Sequence, residues 1–445
     1  MDNDSPQLSE RQLEILALVS KGCSNPDIAK LLNLSQNTVK THLSNILKQL
    51  DLSNRTEASV WFEQHYRSAA IDDQMPLQLI CSGQQQTSSQ FSTALTDALA
   101  RFELIHLAQL LSSTGYLLQI EDAPEQRSRL VLTYQESSAQ HYVLWTGPAI
   151  QTGATETVLH YAALIVAKMQ GNQATLNRGN TALPSGFEAL YSVEFKLRHR
   201  SVSQLIDARQ IMVQLQRRYP QWPLMHSVNV LVIYASLIEG YLEATPERLA
   251  EMTASAQQAC NMAPDSAYAH LAFTLYCIIS RRHGEALIHI QQALLINPAL
   301  EYGLFLLGQV QALNGHYQEA LQSYDRYLAI FPEGTHSGRS YAGKALIHYL
   351  AGQYTEAKNQ ASQAILYNQT VQAGLQMVLL SVAVRESDSA QIAAITQQLQ
   401  QQMASNAMQL ANIQTLVAAV MPPTEAQRFF ADLAAAGLPI AHNPG

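Results

Sequence analysis

At 445 residues the chain exceeds the length over which one hydrophobic core keeps growing, so two or three domains are expected. A formal net charge of −8, with only 14% charged residues, excludes a molecule drawn to polyanions by its overall field, so any nucleic-acid site has to be a local patch. The polar, acidic start has no basic then apolar run, so no secretory leader is expected, and the apolar run Val228 to Ile238 is too short to cross a bilayer. A cytoplasmic location is therefore expected. Cys23, Cys81, Cys260 and Cys277 are spaced too irregularly to indicate a zinc motif or a disulfide framework, so neither a metal nor a cofactor is expected.

Three short helices are expected first. Ser9 with Gln12 three residues on is a capping-box pattern for a helix carrying Leu13, Leu16, Leu18 and Val19, which Lys21-Gly22 ends. Ser24 and Pro26 open a second helix with Ile28, Ala29 and Leu32 facing inward. Ser35 caps a third, whose apolar residues Val39, Leu43, Ile46, Leu47 and Leu50 share one side. Its other side offers Gln36, Asn37, Thr38, Lys40, Thr41, Ser44 and Lys48. From Ser35 to Leu50 the charged residues are Lys40 and Lys48, with no acid. Such a helix fits a major groove, where Lys, Asn, Gln and Thr meet phosphates or base edges, and the amides near Ser35 to Thr38 can meet a phosphate. An ordinary solvated helix face is the alternative.

Residue by residue the stretch resembles the LuxR/FixJ/NarL-type helix-turn-helix. The matching motifs are Leu8-Ser9-Glu10-Arg11, Gly22-Cys23-Ser24-Asn25 with Ile28-Ala29, Ser35 with Thr38-Val39-Lys40-Thr41-His42, and Arg55-Thr56-Glu57-Ala58. The resemblance implies DNA contacts by Lys40 and Thr41. Ser44 stands where a further basic residue is common in that family, and Gln12 replaces a Glu. It also implies a fourth helix, roughly Arg55 to Tyr66, used for dimerisation, with Ala58, Trp61, Phe62 and His65 as candidates. Such a domain usually follows a phosphoacceptor receiver; here it comes first, so control by aspartyl phosphorylation is not expected.

From Asp72 to about Gly171 a small α+β domain is expected. Its strands are placed at Leu77 to Cys81, Tyr116 to Ile120, Arg129 to Tyr134 and His141 to Trp145, and its helices at Ser92 to Phe102, Leu104 to Leu111 and Val158 to Met169. Beyond it a 34-residue period sets in. Ala286, Ala293 and Pro298 recur as Ala320, Tyr327 and Pro332, and Gly315-His-Tyr-Gln-Glu-Ala is echoed by Gly352-Gln-Tyr-Thr-Glu-Ala. Helix pairs that cannot bury their apolar sides alone give such a pattern, with small residues such as Gly308, Ala286 and Ala320 admitting close neighbours. This region resembles a tetratricopeptide-repeat array, and the order of parts is similar to that of CadC/HilA-like regulators.

The expected fold is thus multidomain and mainly α. It comprises a helix-turn-helix bundle (1–70), a small α+β middle domain (72–171) and a tetratricopeptide-like helical superhelix (188–445). No complete GxxxxGK(S/T) phosphate loop and no HExxH, CxxC or GxSxG motif occurs in the sequence, which points away from an enzyme. The expected function is transcription regulation by a homodimer on double-stranded DNA. The array would take a protein, peptide or small-molecule effector, with His270, Tyr302, Tyr324 and Arg339 as candidate contacts, or mediate self-association. The alternative is an interaction scaffold that keeps the helix-turn-helix only as a fold.

Overall fold

The computed structural model describes residues 10–20, 24–32, 34–50, 52–62, 75–108, 115–125, 127–137, 140–150, 154–176, 186–199, 201–239, 241–367, 372–405, 414 and 420–439. Two compact units divide the chain, residues 1–74 and 75–445. Ser9, Gly22 and His65, expected to serve a cap, a turn and a dimer face, lie outside the described residues.

The first unit holds α1 (Glu10–Ser20), α2 (Asn25–Leu31), α3 (Gln36–Gln49) and α4 (Arg55–Phe62). Each is short and marginal alone, so stability comes from a shared core. Ile15, Leu16, Val19, Ile28, Ala29, Val39, Leu43, Ile46 and Ala58 form that core, with Leu32, Leu47, Leu50 and Trp61 packed against it. Asn54 and Glu57 close a reciprocal cap at the start of α4. The Glu57 N–H donates to Asn54 Oδ1 at 2.9 Å, and the Ser53 N–H donates to Glu57 Oε2 at 2.7 Å.

The second unit begins with a five-stranded sheet in the order β2-β1-β3-β4-β5. Its strands are β1 (Met75–Cys81), β2 (Ile105–Ala108), β3 (Gly115–Ala123), β4 (Arg127–Ser137) and β5 (Gln140–Thr146), with α5 (Gln86–Leu99) between β1 and β2. β1 runs parallel to both neighbours, while β3, β4 and β5 form antiparallel ladders. The helix expected at Leu104 to Leu111 is instead, over Ile105–Ala108, the parallel edge strand β2, with Met75 opposite Ile105. A short apolar run has no period long enough to distinguish the two, and pairing with β1 decides it.

Helices follow to the C-terminus: α6 (Thr155–Leu176), α7 (Gly186–His199), α8 (Val202–Arg218), α9 (Pro223–Ile238), α10 (Pro246–Met262), α11 (Ala267–Ile279), α12 (His283–Ile296), α13 (Glu301–Leu313), α14 (Tyr317–Ile330), α15 (Ser337–Leu350), α16 (Tyr354–Tyr367), α17 (Gln372–Glu386), α18 (Ser389–Ser405) and α19 (Pro423–Ala435). From α6 to α18 consecutive helices pack on each other, and α19 packs on α17. The apolar run of α9 is buried on all sides from Leu224 to Leu237, as befits a helix apolar all round. Among the described residues no helix is long and apolar enough to cross a membrane.

The period seen in the sequence reappears in the elements. α11 and α13 have equal lengths and start 34 residues apart, as do α12 and α14. The turns agree as well: Gly315 and Gly352 adopt φ of 76° and 70°, and Arg281, 34 residues before Gly315, takes 57° despite its side chain. Gly308 has the expected role, since a Cβ there would lie 2.7 Å from the Tyr324 ring. The sheet and the first helices of the array share one continuous core, from Leu77 and Phe91 to Phe331 and Ile347. Polar stitches reinforce it: Tyr191 Oη donates to the Leu104 carbonyl at 2.9 Å, and Asn297 Nδ2 to the Arg101 carbonyl at 3.1 Å. A second core, with Tyr349, Met377, Leu399 and Phe429, closes the C-terminal end.

Candidate functional site

Helix α3 has the two-sided character its sequence dictates. Val39, Leu43 and Ile46 are buried. On a 3.6-residue helix Asn37, Lys40, Thr41, Ser44 and Lys48 fall opposite them, and all five are exposed. Gln36 and Asn45, the latter not among the expected set, are exposed on the flanks. No acid occupies its first turn, and Lys48 lies in its last.

Some of the expected contact residues are committed locally. Ser35 caps the helix, its Oγ accepting the Thr38 N–H at 3.0 Å and lying 2.8 Å from Thr38 Oγ1. Thr41 Oγ1 donates to the Asn37 carbonyl at 2.9 Å, which leaves its oxygen lone pairs, not its proton, for a ligand. Ser35 and Thr38 therefore set where the helix begins, while Asn37, Lys40, Thr41, Ser44 and Lys48 form the surface presented.

Motif residues away from α3 hold it in place. Arg11 Nη2 donates to the Leu32 carbonyl at 2.6 Å, tying α1 to the turn before α3. Arg55 Nη1 donates to Asn25 Oδ1 at 2.8 Å, tying α4 to the start of α2. The expected dimer face is corrected in part. Ala58 is fully buried in the unit's own core, and Trp61 packs against that core because α4 is the layer that seals α1. Phe62 lies in α4, and its side chain, like His65, is outside what is described.

The second unit contains a cavity where α6, α7, α9, α11 and α13 meet the segment before α15. Glu194, Arg198, Glu301, Tyr302, Thr335 and His336 contribute its polar lining, and Phe102, Val166, Leu231 and Leu271 its apolar wall. Arg198 spans it, with Nη1 donating to Glu301 Oε2 at 2.8 Å and to Thr335 Oγ1 at 3.2 Å, and Nε to Gln170 Oε1 at 3.2 Å. Glu301 Oε1 accepts from Tyr327 Oη at 3.0 Å and from the Thr335 N–H at 2.8 Å. Burial alone would raise the Glu301 carboxyl; Arg198 and these donors outweigh it and hold the carboxyl below its ordinary range.

Glu194 is the opposite case. Among the described residues its Oε1 has no hydrogen-bond partner. Burial pushes its carboxyl up to about 7, against the opposing pull of Arg198. A buried carboxyl in that state can donate or accept a proton.

Of the four residues expected to meet a partner, Tyr302 lines this cavity, stacked on His336 with centroids 4.7 Å apart. Tyr324 is a correction: it is buried, and a Cβ at Gly308 or Gly343 would lie 2.7 or 2.6 Å from its ring. The two glycines are the sequence signal for that placement. Arg339 Nη2 pairs with Glu239 Oε1 at 2.9 Å, and His270 faces His289 across the α11–α12 contact.

Comparison with known proteins fits this geometry. Residues 6–62 match the family described as bacterial regulatory proteins, luxR family. Among curated proteins, the response regulator protein VraR of Staphylococcus aureus (strain Mu3), of Staphylococcus saprophyticus subsp. saprophyticus and of Staphylococcus epidermidis is 48% identical over 58 residues in each case. The match takes 13% of this chain and covers 28% of the length of each relative. The family match lies within the first unit, so residues 6–62 are a LuxR-type helix-turn-helix segment.

Proposed function

We propose that this chain is a DNA-binding transcriptional regulator that seats α3 in the major groove of duplex DNA. The observation that carries this reading is the acid-free exposed stripe Asn37, Lys40, Thr41, Ser44 and Lys48, backed by Val39, Leu43 and Ile46 within a segment that matches the luxR family. Lys40 and Lys48 would meet phosphates, and Asn37 and Thr41 base edges or the sugar-phosphate backbone. Two copies would bind paired half-sites through surfaces other than Ala58. In this reading the chain binds and does not catalyse.

The second unit is read as the effector-receiving part, a tetratricopeptide-like array continuous with the α+β domain. The 34-residue offset of its helices supports the first description. In this reading the cavity lined by Glu194 and Arg198 is where a small effector would be received. Selection of bound fragments from a genomic pool by the full-length protein, followed by footprinting, tests the DNA-binding role. Enrichment of a common site protected on its major-groove edge is expected. Recovery of fragments in proportion to their input would remove this reading.

A further inference from the structure

One side-chain cluster belongs to neither site. Cys260 near the end of α10, His270 on α11 and His289 on α12 bring Sγ and one ring nitrogen each to within 4.8 Å of one another. His270 Nδ1 and His289 Nδ1 lie 2.9 Å apart. The second nitrogen of His270, Nε2, is 3.0 Å from the Pro264 carbonyl, which can only accept, so Nε2 carries the proton and Nδ1 presents a lone pair to the cluster. Metal-binding histidines have this arrangement, one nitrogen turned to the ion and the other oriented by a backbone carbonyl. The plane of His289 is fixed by Phe273, stacked on it at 4.3 Å between centroids.

We infer that Cys260, His270 and His289 form a binding site for a borderline transition-metal dication of the Zn2+ class. One thiolate and two imidazoles suit Zn2+ and Co2+ and disfavour Mg2+ and Ca2+, which take oxygen ligands. With metal–N bonds of about 2.0 Å and metal–S bonds of about 2.3 Å, tetrahedral ligand atoms sit roughly 3.3–3.6 Å apart, so side-chain adjustments of about 1 Å close the site. Three protein ligands leave the fourth position to water. Binding displaces the thiol proton and any proton shared between the two Nδ1 atoms, and it ties α10, α11 and α12 to a single ion. The ligands are separated by many residues, far from any CxxC or HExxH spacing, which is why no metal is expected from the sequence.

The test uses the full-length protein freed of metal by a chelator and then given Zn2+ or Co2+ alone. Co2+ should add a near-ultraviolet thiolate-to-metal band that survives Cys81→Ser and is lost in Cys260→Ser. Zn2+ at about a hundred times its Kd should slow iodoacetamide modification of Cys260 in the unsubstituted chain about a hundredfold, leaving Cys81 unchanged. This second measurement decides the matter even if Cys260→Ser does not fold. Modification of Cys260 at the same rate with and without Zn2+, or a Co2+ band that persists in folded Cys260→Ser, would overturn the site.

Discussion

In the N-terminal unit every buried side chain among the described residues is apolar, from Ile15 and Leu16 to Ile46 and Ala58, and polar groups stand outside. In the second unit Gln170, Glu194, Asn229, Gln376 and a series of serines are sealed into the interior. Burying a polar group costs free energy unless a partner satisfies it, so the two units hold their polar side chains for different ends. In the proposed reading the helix-turn-helix recognises DNA by what it leaves exposed, on a scaffold of hidden leucines and isoleucines. The helical unit instead encloses polar groups, with Arg198 bonded to Glu301 and Thr335 inside a cavity.

The sharpest way to break this contrast is to remove the guanidinium. Arg198→Ala leaves Glu301 and Glu194 enclosed without their cation, and a loss of about 3 kcal/mol in urea unfolding of the second unit is expected. An unchanged midpoint would mean that the chamber is open to water and that its charges are solvated.

The Glu194 carboxyl provides a pH test. Its folded-state value, about 7, lies above its ordinary 4.5, so the folded protein holds a proton that the unfolded chain has released between those values. Stability contributed by that proton is fully present below pH 4.5, declines as pH rises and is gone above about 7. Glu194→Gln removes the dependence and should make the protein more stable at pH 8 by about 2–3 kcal/mol, while at pH 4.5 the two proteins should differ little. Thermal melts across pH 4.5 to 8 check it; parallel curves for the two proteins would show that Glu194 is already ionised and paired.

On the other side of the comparison a smaller effect is expected. Ser35→Ala removes the cap of α3 and should cost the first unit about 1 kcal/mol, read from its own thermal transition, with the second unit unaffected. A cost near zero would mean that packing of Val39, Leu43 and Ile46 alone sets where the helix starts.

What can be read in the sequence follows the same division. The exposed face of α3 is legible because its determinants are local: a cap at Ser35, apolar residues at helical spacing and a stretch from Ser35 to Leu50 without an acid. The array is legible through its period, since Gly315 and Gly352 mark turns that need a left-handed backbone. The chamber is not, because Gln170, Glu194, Glu301 and His336 come from separate elements and only packing brings them together. Tyr324 escapes for a related reason. A tyrosine in isolation does not reveal its burial, whereas Gly308 and Gly343, read together, do. Ala58 suits a partner's surface on sequence grounds, yet a small apolar residue four positions after Asn54 is equally what a sealing helix needs.

The exposed stripe of α3 is tested most directly by fluorescence anisotropy of the full-length protein on its selected duplex, with salt varied, for the unsubstituted chain and for Lys40→Ala/Lys48→Ala. The logarithm of the association constant should fall linearly with the logarithm of salt concentration. The double substitution should weaken binding and reduce that slope by about 2, because each phosphate that no longer meets a lysine keeps its counterion. The same affinity and slope in both proteins would contradict the assignment of this helix to the groove.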